Sequence, residues 1–198
     1  MKKVIIALVI AMIIPCCVFA GRGMFDLTVG VAAQSTYDIE DVQAAAEAGT
    51  AEGFSIDGLA FGADVEAKLS ILAIDAKGMY DTANKGLSGI ASANLALDIF
   101  FVRVKAGVGY EYTYNFETKS FYFGNASGYA TEFAGYKDAC LDINVGVDVL
   151  LGPITVGAYA TLPTETSIAN AKWADLFGKA FSNWSQAKLG LTVGFAVL

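Results

Sequence analysis

The chain has 198 residues, 55% of them hydrophobic and only 17% charged, with a formal charge of −7 and no histidine. An ordinary soluble domain carries about 25% charged residues, and no window beyond residue 20 holds the roughly 18 uninterrupted apolar residues that a membrane helix needs. An acidic chain without a basic patch gives no basis for a nucleic-acid partner, and the missing histidine removes the general base that outer-membrane lipases and acyltransferases place beside their serine.

The N-terminus has a plan of its own. Lys2 and Lys3 precede the apolar run Val4 to Pro15, and Val18-Phe19-Ala20 follows it. A basic n-region, an apolar h-region and a small-residue cleavage site predict a signal peptide over residues 1–20, leaving 21–198 as the mature domain. Processing as a lipoprotein at Cys16 or Cys17 is the alternative, although Pro15 or Cys16 would then occupy a position where Gly or Ala is usual. Cleavage after Ala20 removes both lysines, takes the formal charge from −7 to −9, and leaves Cys140 as the single cysteine. An intramolecular disulfide is then impossible, and thiol catalysis and zinc sites lack their parts. The expectation is a protein that is not an enzyme and holds neither metal nor cofactor.

In chain order the mature sequence shows eight segments that alternate at period two: Phe25 to Ala33, Gly58 to Leu69, Leu72 to Tyr80, Gly89 to Phe101, Phe101 to Asn115, Ala139 to Leu151, Ile154 to Leu162, and Ala187 to Val197. Successive strand side chains point to opposite sides. In the fifth segment, for example, Val102, Val104, Ala106, Val108, Tyr110, Tyr112 and Tyr114 share one face, while Arg103, Lys105, Gly107, Gly109 and Glu111 share the other. Every charge in the eight segments falls on the small-residue face: Asp26, Asp64, Glu66, Lys68, Asp75, Lys77, Asp98, Arg103, Lys105, Glu111, Asp142, Asp148 and Lys188. One sheet with a strictly apolar face follows.

The connections set which way that face points. Gln34 to Asp57, Phe116 to Asp138 and Pro163 to Gln186 are long, Asp81 to Ser88 is intermediate, and Ser70-Ile71, Phe101-Val102 and Gly152-Pro153 are tight. Tight turns alternating with loops around an even number of strands predict an all-β fold, an eight-stranded antiparallel transmembrane β-barrel with short periplasmic turns and long extracellular loops. Tyr80, Tyr110, Tyr112, Tyr114 and Tyr136 fall on the loop side and Phe25, Phe100, Phe101 and Phe195 on the turn side, where aromatic girdles belong.

With signal, alternating strands, loop asymmetry and the closing stretch Lys188 to Leu198, the chain resembles the small eight-stranded outer-membrane proteins of the OmpW, OmpA and OmpX kind, and looks like their divergent spirochaetal versions. Those families usually end in an aromatic residue, whereas Phe195 here is followed by Ala196, Val197 and Leu198. The resemblance implies the outer membrane of a diderm bacterium, lipid as surroundings, and the binding or passive admission of small apolar solutes. Two alternatives stay open. One is a surface-interaction, adhesin-like barrel whose loops meet a host molecule; the other is a secreted lipocalin-like binder with the apolar face turned inward.

Three stretches carry candidate sites. An eight-stranded barrel is just wide enough for side chains to fill, so the charged face predicts either a self-satisfied ion-pair network or a proton or ion relay. Asp38, Glu40, Asp41, Glu47 and Glu52 make the first loop acidic, with Val42 to Ala48 as a short helix; the spacing fits no calcium loop, which favours a solvated acidic surface. In the last loop Ala169, Trp173, Leu176, Phe177, Ala180, Phe181 and Trp184 recur every three or four residues, an amphipathic stripe. Trp173, Phe177, Phe181 and Trp184 are the candidate ligand-binding set, as a lid over the mouth or as an interfacial helix in the headgroup layer. The aromatic stretch Phe116 to Asp138 extends the strands as a hairpin or offers an adhesive surface. A monomer is expected.

Overall fold

The computed structural model describes residues 24–49, 58–82, 85–123, 140–168 and 171–197. The signal segment with its Ala20 junction, Cys16 and Cys17, and also Glu52, Tyr136 and Ala169, lie outside the described residues.

Among the described residues nine strands form: β1 (Phe25–Ser35), β2 (Leu59–Leu69), β3 (Leu72–Asp81), β4 (Gly86–Ile99), β5 (Val102–Asn115), β6 (Ser120–Phe123), β7 (Cys140–Leu151), β8 (Ile154–Ser167) and β9 (Lys188–Ala196). Eight of them close on themselves. Neighbours run β4-β3-β2-β1-β9-β8-β7-β5, the β4–β5 pairing completes the circuit, and β6 pairs with β5 alone. The fold is a closed eight-stranded antiparallel β-barrel. Following paired residues from Phe25 through Leu69, Leu72, Leu95, Ala106, Val145, Ala160 and Leu189 returns to β1 at Ser35, one step beyond the Gln34–Gly190 pair and ten residues from the start. That stagger, with the usual strand rise and spacing, tilts the strands by about 40°.

The three tight turns are built alike. Ser70, Phe100 and Gly152 open them at positive φ of 57°, 56° and 64°, the backbone sign that two-residue hairpins require at their first position. The aromatic and apolar residues beside them lie bare on the outer wall, Phe100 82% and Phe101 62% exposed. Outside any lipid such exposure would be costly for a folded chain.

Several boundaries differ from the sequence expectation. β4 begins at Gly86 rather than Gly89, so a loop expected over Asp81 to Ser88 shrinks to a turn and Asp81 joins β3. β8 runs through Pro163 to Ser167 instead of stopping at Leu162, because a register shift opposite Leu141 and Asp142 lets the proline sit at an irregularity of the ladder, where the missing N–H costs no bond. β6 folds back on Tyr112 to Asn115, so the start of the aromatic loop is a hairpin extension of the barrel. Residues 124–139, the rest of that loop, lie outside the described residues.

Two α-helices lie in the loops among the described residues. α1 (Ile39–Glu47) is capped by Asp38, whose Oδ1 accepts from the Asp41 N–H at 2.9 Å, and Glu40 and Asp41 in its first turn suit the positive end of its dipole. α2 (Trp173–Ser182) has no side-chain cap and is followed by a single 3₁₀ turn at Trp184–Gln186. No helix among the described residues is long and apolar enough to cross a membrane.

Candidate functional site

The barrel interior is the first candidate. All thirteen charges expected on one face point inward, twelve of them almost fully buried, with Lys188 half-buried. The outer wall is Val31, Leu69, Leu72, Ile74, Leu191 and their neighbours, all exposed. A lipocalin-like arrangement needs the reverse, and the geometry removes it.

Arg103 on β5 is the hub, with no exposed surface. Its guanidinium reaches carboxylates on three other strands: Asp98 at 2.7 Å from Nε, Glu66 at 2.5 Å and Asp26 at 2.6 Å from its terminal nitrogens. A planar fork with five donors satisfies three acceptor groups at once and grips both oxygens of Asp98 side-on through Nε and a terminal nitrogen, which an ammonium has no fork to do. Lys68 adds a 3.0 Å bond to Asp98. Lys105 bridges Glu66 at 2.5 Å and Asp148 at 2.9 Å, with Asp75 at 3.9 Å. Lys77 pairs with Asp75 and, at 3.3 Å, with Asp64. The ion pairs thus bind β1, β2, β3, β4, β5 and β7 together across the lumen.

Toward the loop side the lumen changes character. Ala32, Ala60, Met79 and Ile90 form a buried apolar cluster with Tyr159 packed against it. Tyr159 donates to Gln34 Oε1 at 3.1 Å, and Lys77 Nζ stands 4.6 Å from the centre of its ring. That ring covers Gly190, where a Cβ would fall into it. Across the barrel Lys188 holds Glu111 at 3.1 Å, with Asp142 buried beside them. Two inward glycines are overhung by neighbours: Gly190 by Tyr159, Gly157 by Asp148 and Thr192. The lumen thus holds an ion-pair network toward the turns and an apolar layer toward the loops.

Sequence periodicity found thirteen of the inward charges but missed the apolar layer and one further charge, Asp81, which is inward and buried. Met79, Ile90 and Tyr159 stood on the charged face as large exceptions to its small and polar residues, and that was the available signal.

The second candidate, Trp173, Phe177, Phe181 and Trp184, is placed by α2. Leu176 and Ala180 are buried against Ile143, with Val108, Leu141 and Leu162 around them. Those wall residues all belong to the outward face. The helix therefore lies along the outside of β7 and β8 rather than across the mouth, which corrects the lid arrangement. Leu176 and Ala180 take the wall side, and Phe177, Phe181 and Trp184 are left 50%, 73% and 53% exposed. The side chain of Trp173 lies outside the described residues. A stripe about a third of a helix wide holds one row for the barrel and one for the surroundings.

In the first loop, Glu40 and Asp41 are exposed on α1, and Glu40 accepts from Ser185 Oγ at 3.3 Å. The described residues hold no cluster of acidic, histidine or cysteine side chains suited to a metal. Cys140, at the loop end of β7, is in no disulfide among the described residues.

No family model and no curated protein matches the chain. Among solved structures, the crystal structure of Neisserial surface protein A (NspA) is similar at 15% identity over 88% of this chain and 97% of that one, with a TM-score of 0.40. At that identity and score the likeness bears on neither function nor partner.

Proposed function

We propose that the chain is an outer-membrane protein of a diderm bacterium, of the OmpW, OmpA and OmpX kind, that crosses the bilayer by its eight strands, passes no hydrophilic solute, and binds small apolar molecules on its membrane-side flank. The observation that carries this reading is the inversion of faces: charges packed inside, large apolar residues bare outside. Strands of nine to fourteen residues tilted by about 40° span roughly 25 Å of hydrocarbon. Phe177 and Phe181 on α2 and Trp184 in the turn that follows it, all exposed, offer the aromatic surface on which an apolar solute would lie at the headgroup level.

Proteoliposomes carrying the protein test both halves. No sugar-driven swelling and at most small intermittent conductance are expected, and a long-chain amine is expected to change tryptophan fluorescence. Robust swelling would overturn the closed lumen. Unchanged amine binding after replacing Trp173, Phe177, Phe181 and Trp184 by alanine would remove the flank site.

The second reading is a surface-interaction protein for which the barrel is an anchor. The β5–β6 hairpin favours it, since four residues of β6 lengthen the sheet beyond the closed barrel. Deletion of the β6 hairpin that abolishes attachment to a host surface while leaving amine binding intact would decide for it.

A further inference from the structure

We infer that a groove on the outer wall beneath α1 holds one hydrocarbon chain of a membrane lipid. It has a volume of about 610 Å³ and is almost wholly apolar. Its floor is the outward face of β1, β9 and β8, where Ala33 and Ala158 flank Leu191 in one row of paired residues. Two alanines beside a leucine leave a trough that larger outward side chains would have filled. Its roof is Tyr37, Ile39 and Val42. α1 is hung in place by the Ile39 N–H donating to the Ala187 carbonyl at 3.1 Å, yet none of its residues is buried. The helix leans over the trough without filling it.

Height selects the occupant. Leu191 stands four residues above Phe195, which belongs to the turn-side girdle, so the floor lies about 10 Å up the bilayer normal at the strand tilt found here. That is within the hydrocarbon, where the adjacent wall of Leu189, Leu191 and Val193 is already lipid-facing. The groove is continuous with the surface that lipid covers, and a chain held there would be shielded on one more side by α1. A space of this size accommodates a single acyl chain with room for its bends. The inference rests on the proposed membrane placement of the wall, and it concerns a different face from the α2 aromatics.

The test places single tryptophans in a Trp173→Phe, Trp184→Phe background, one at the roof (Val42→Trp) and one on the open wall of β3 (Ile74→Trp). A phospholipid with brominated chains, a contact quencher, is titrated into the detergent-solubilised protein, whose folding is checked by its gel mobility without heating. The Val42→Trp probe is expected to be quenched to a plateau near one lipid per protein. The Ile74→Trp probe should follow only the lipid fraction of the micelle. Filling the trough with Ala33→Leu and Ala158→Leu should make the first probe behave like the second. Identical curves for the two probes in the unfilled protein would overturn the inference. So would a plateau produced by a long-chain amine but not by the lipid. Failure of the Ile74→Trp probe to be quenched at any lipid content would instead overturn the membrane placement of the wall.

Discussion

Arg103 shows how much structure one residue can specify when burial leaves it no water. It holds Asp26, Glu66 and Asp98, residues 77, 37 and 5 positions away in the chain. Replacing it by methionine takes the guanidinium from three buried carboxylates, of which Asp98 keeps Lys68 and Glu66 keeps Lys105, and removing one partner of a buried ion pair costs about 3–5 kcal/mol. The expected result for Arg103→Met is a large fall in the urea unfolding midpoint in lipid vesicles. Arg103→Lys should fall between, because an ammonium keeps the charge but loses the fork. Lys85 is the counter-case: its 3.0 Å contact with Glu117 is fully solvated, and Lys85→Ala should leave the midpoint unchanged. Identical effects for Arg103→Met and Lys85→Ala would mean that the network does not stabilise the barrel. Gly190 makes a steric case of the same kind, since Gly190→Val must evict the Tyr159 ring and should break its bond to Gln34, seen as a change in tyrosine absorbance. Which residues face inward was legible in the sequence, because period two sorts faces without any tertiary information. Which acid meets which base was not, because that depends on the stagger of strands distant in the chain.

At the scale of elements, strands were easier to read than loops. Alternation located all eight barrel strands within about three residues at most ends, and it failed at β8, where Pro163 reads as a terminator unless the partner strand is known to shift register there. The α2 stripe was equally legible as a helix. What it packs on was not, because Leu176 and Phe177 are alike in composition and only the wall of β7 and β8 separates them into a buried and an exposed row. Leu176→Asp should therefore release α2 and expose it to proteolysis in intact vesicles, while Phe181→Asp, on the exposed row, should leave the helix docked. Equal protease sensitivity of the two variants would show that the helix is not held through its Leu176 face.

For the whole molecule, orientation follows from the connections. The tight turns at Ser70, Phe100 and Gly152 share one end of the barrel, and both helices and β6 share the other. An epitope tag at Gly49 should be reached by antibody on intact cells, whereas one at Gly152 should be reached only after the outer membrane is opened. The reverse pattern would invert the topology. This global plan was readable from loop lengths alone, whereas the groove beneath α1 was not, since it exists only where a loop helix overhangs strands that are far from it in sequence.

The order of events during assembly is constrained by the same hub that ties the lumen together. Until β4 meets β5 and β1 meets β9 there is no inside, and an open sheet laid into hydrocarbon would present Arg103, Lys68, Glu66 and their partners to lipid along one whole face. Each such charge costs several kcal/mol at mid-bilayer, and the two free edges would add unpaired backbone groups. On the proposed membrane placement, entry and closure are expected to be one concerted step, limited by how quickly the first and last strands find each other. Neutralising Arg103, Asp26, Glu66 and Asp98 together, with Met, Asn, Gln and Asn, should then speed insertion into preformed vesicles even as it weakens the finished barrel. An insertion rate unchanged by the fourfold variant would show that the chain does not wait for its charges to be enclosed.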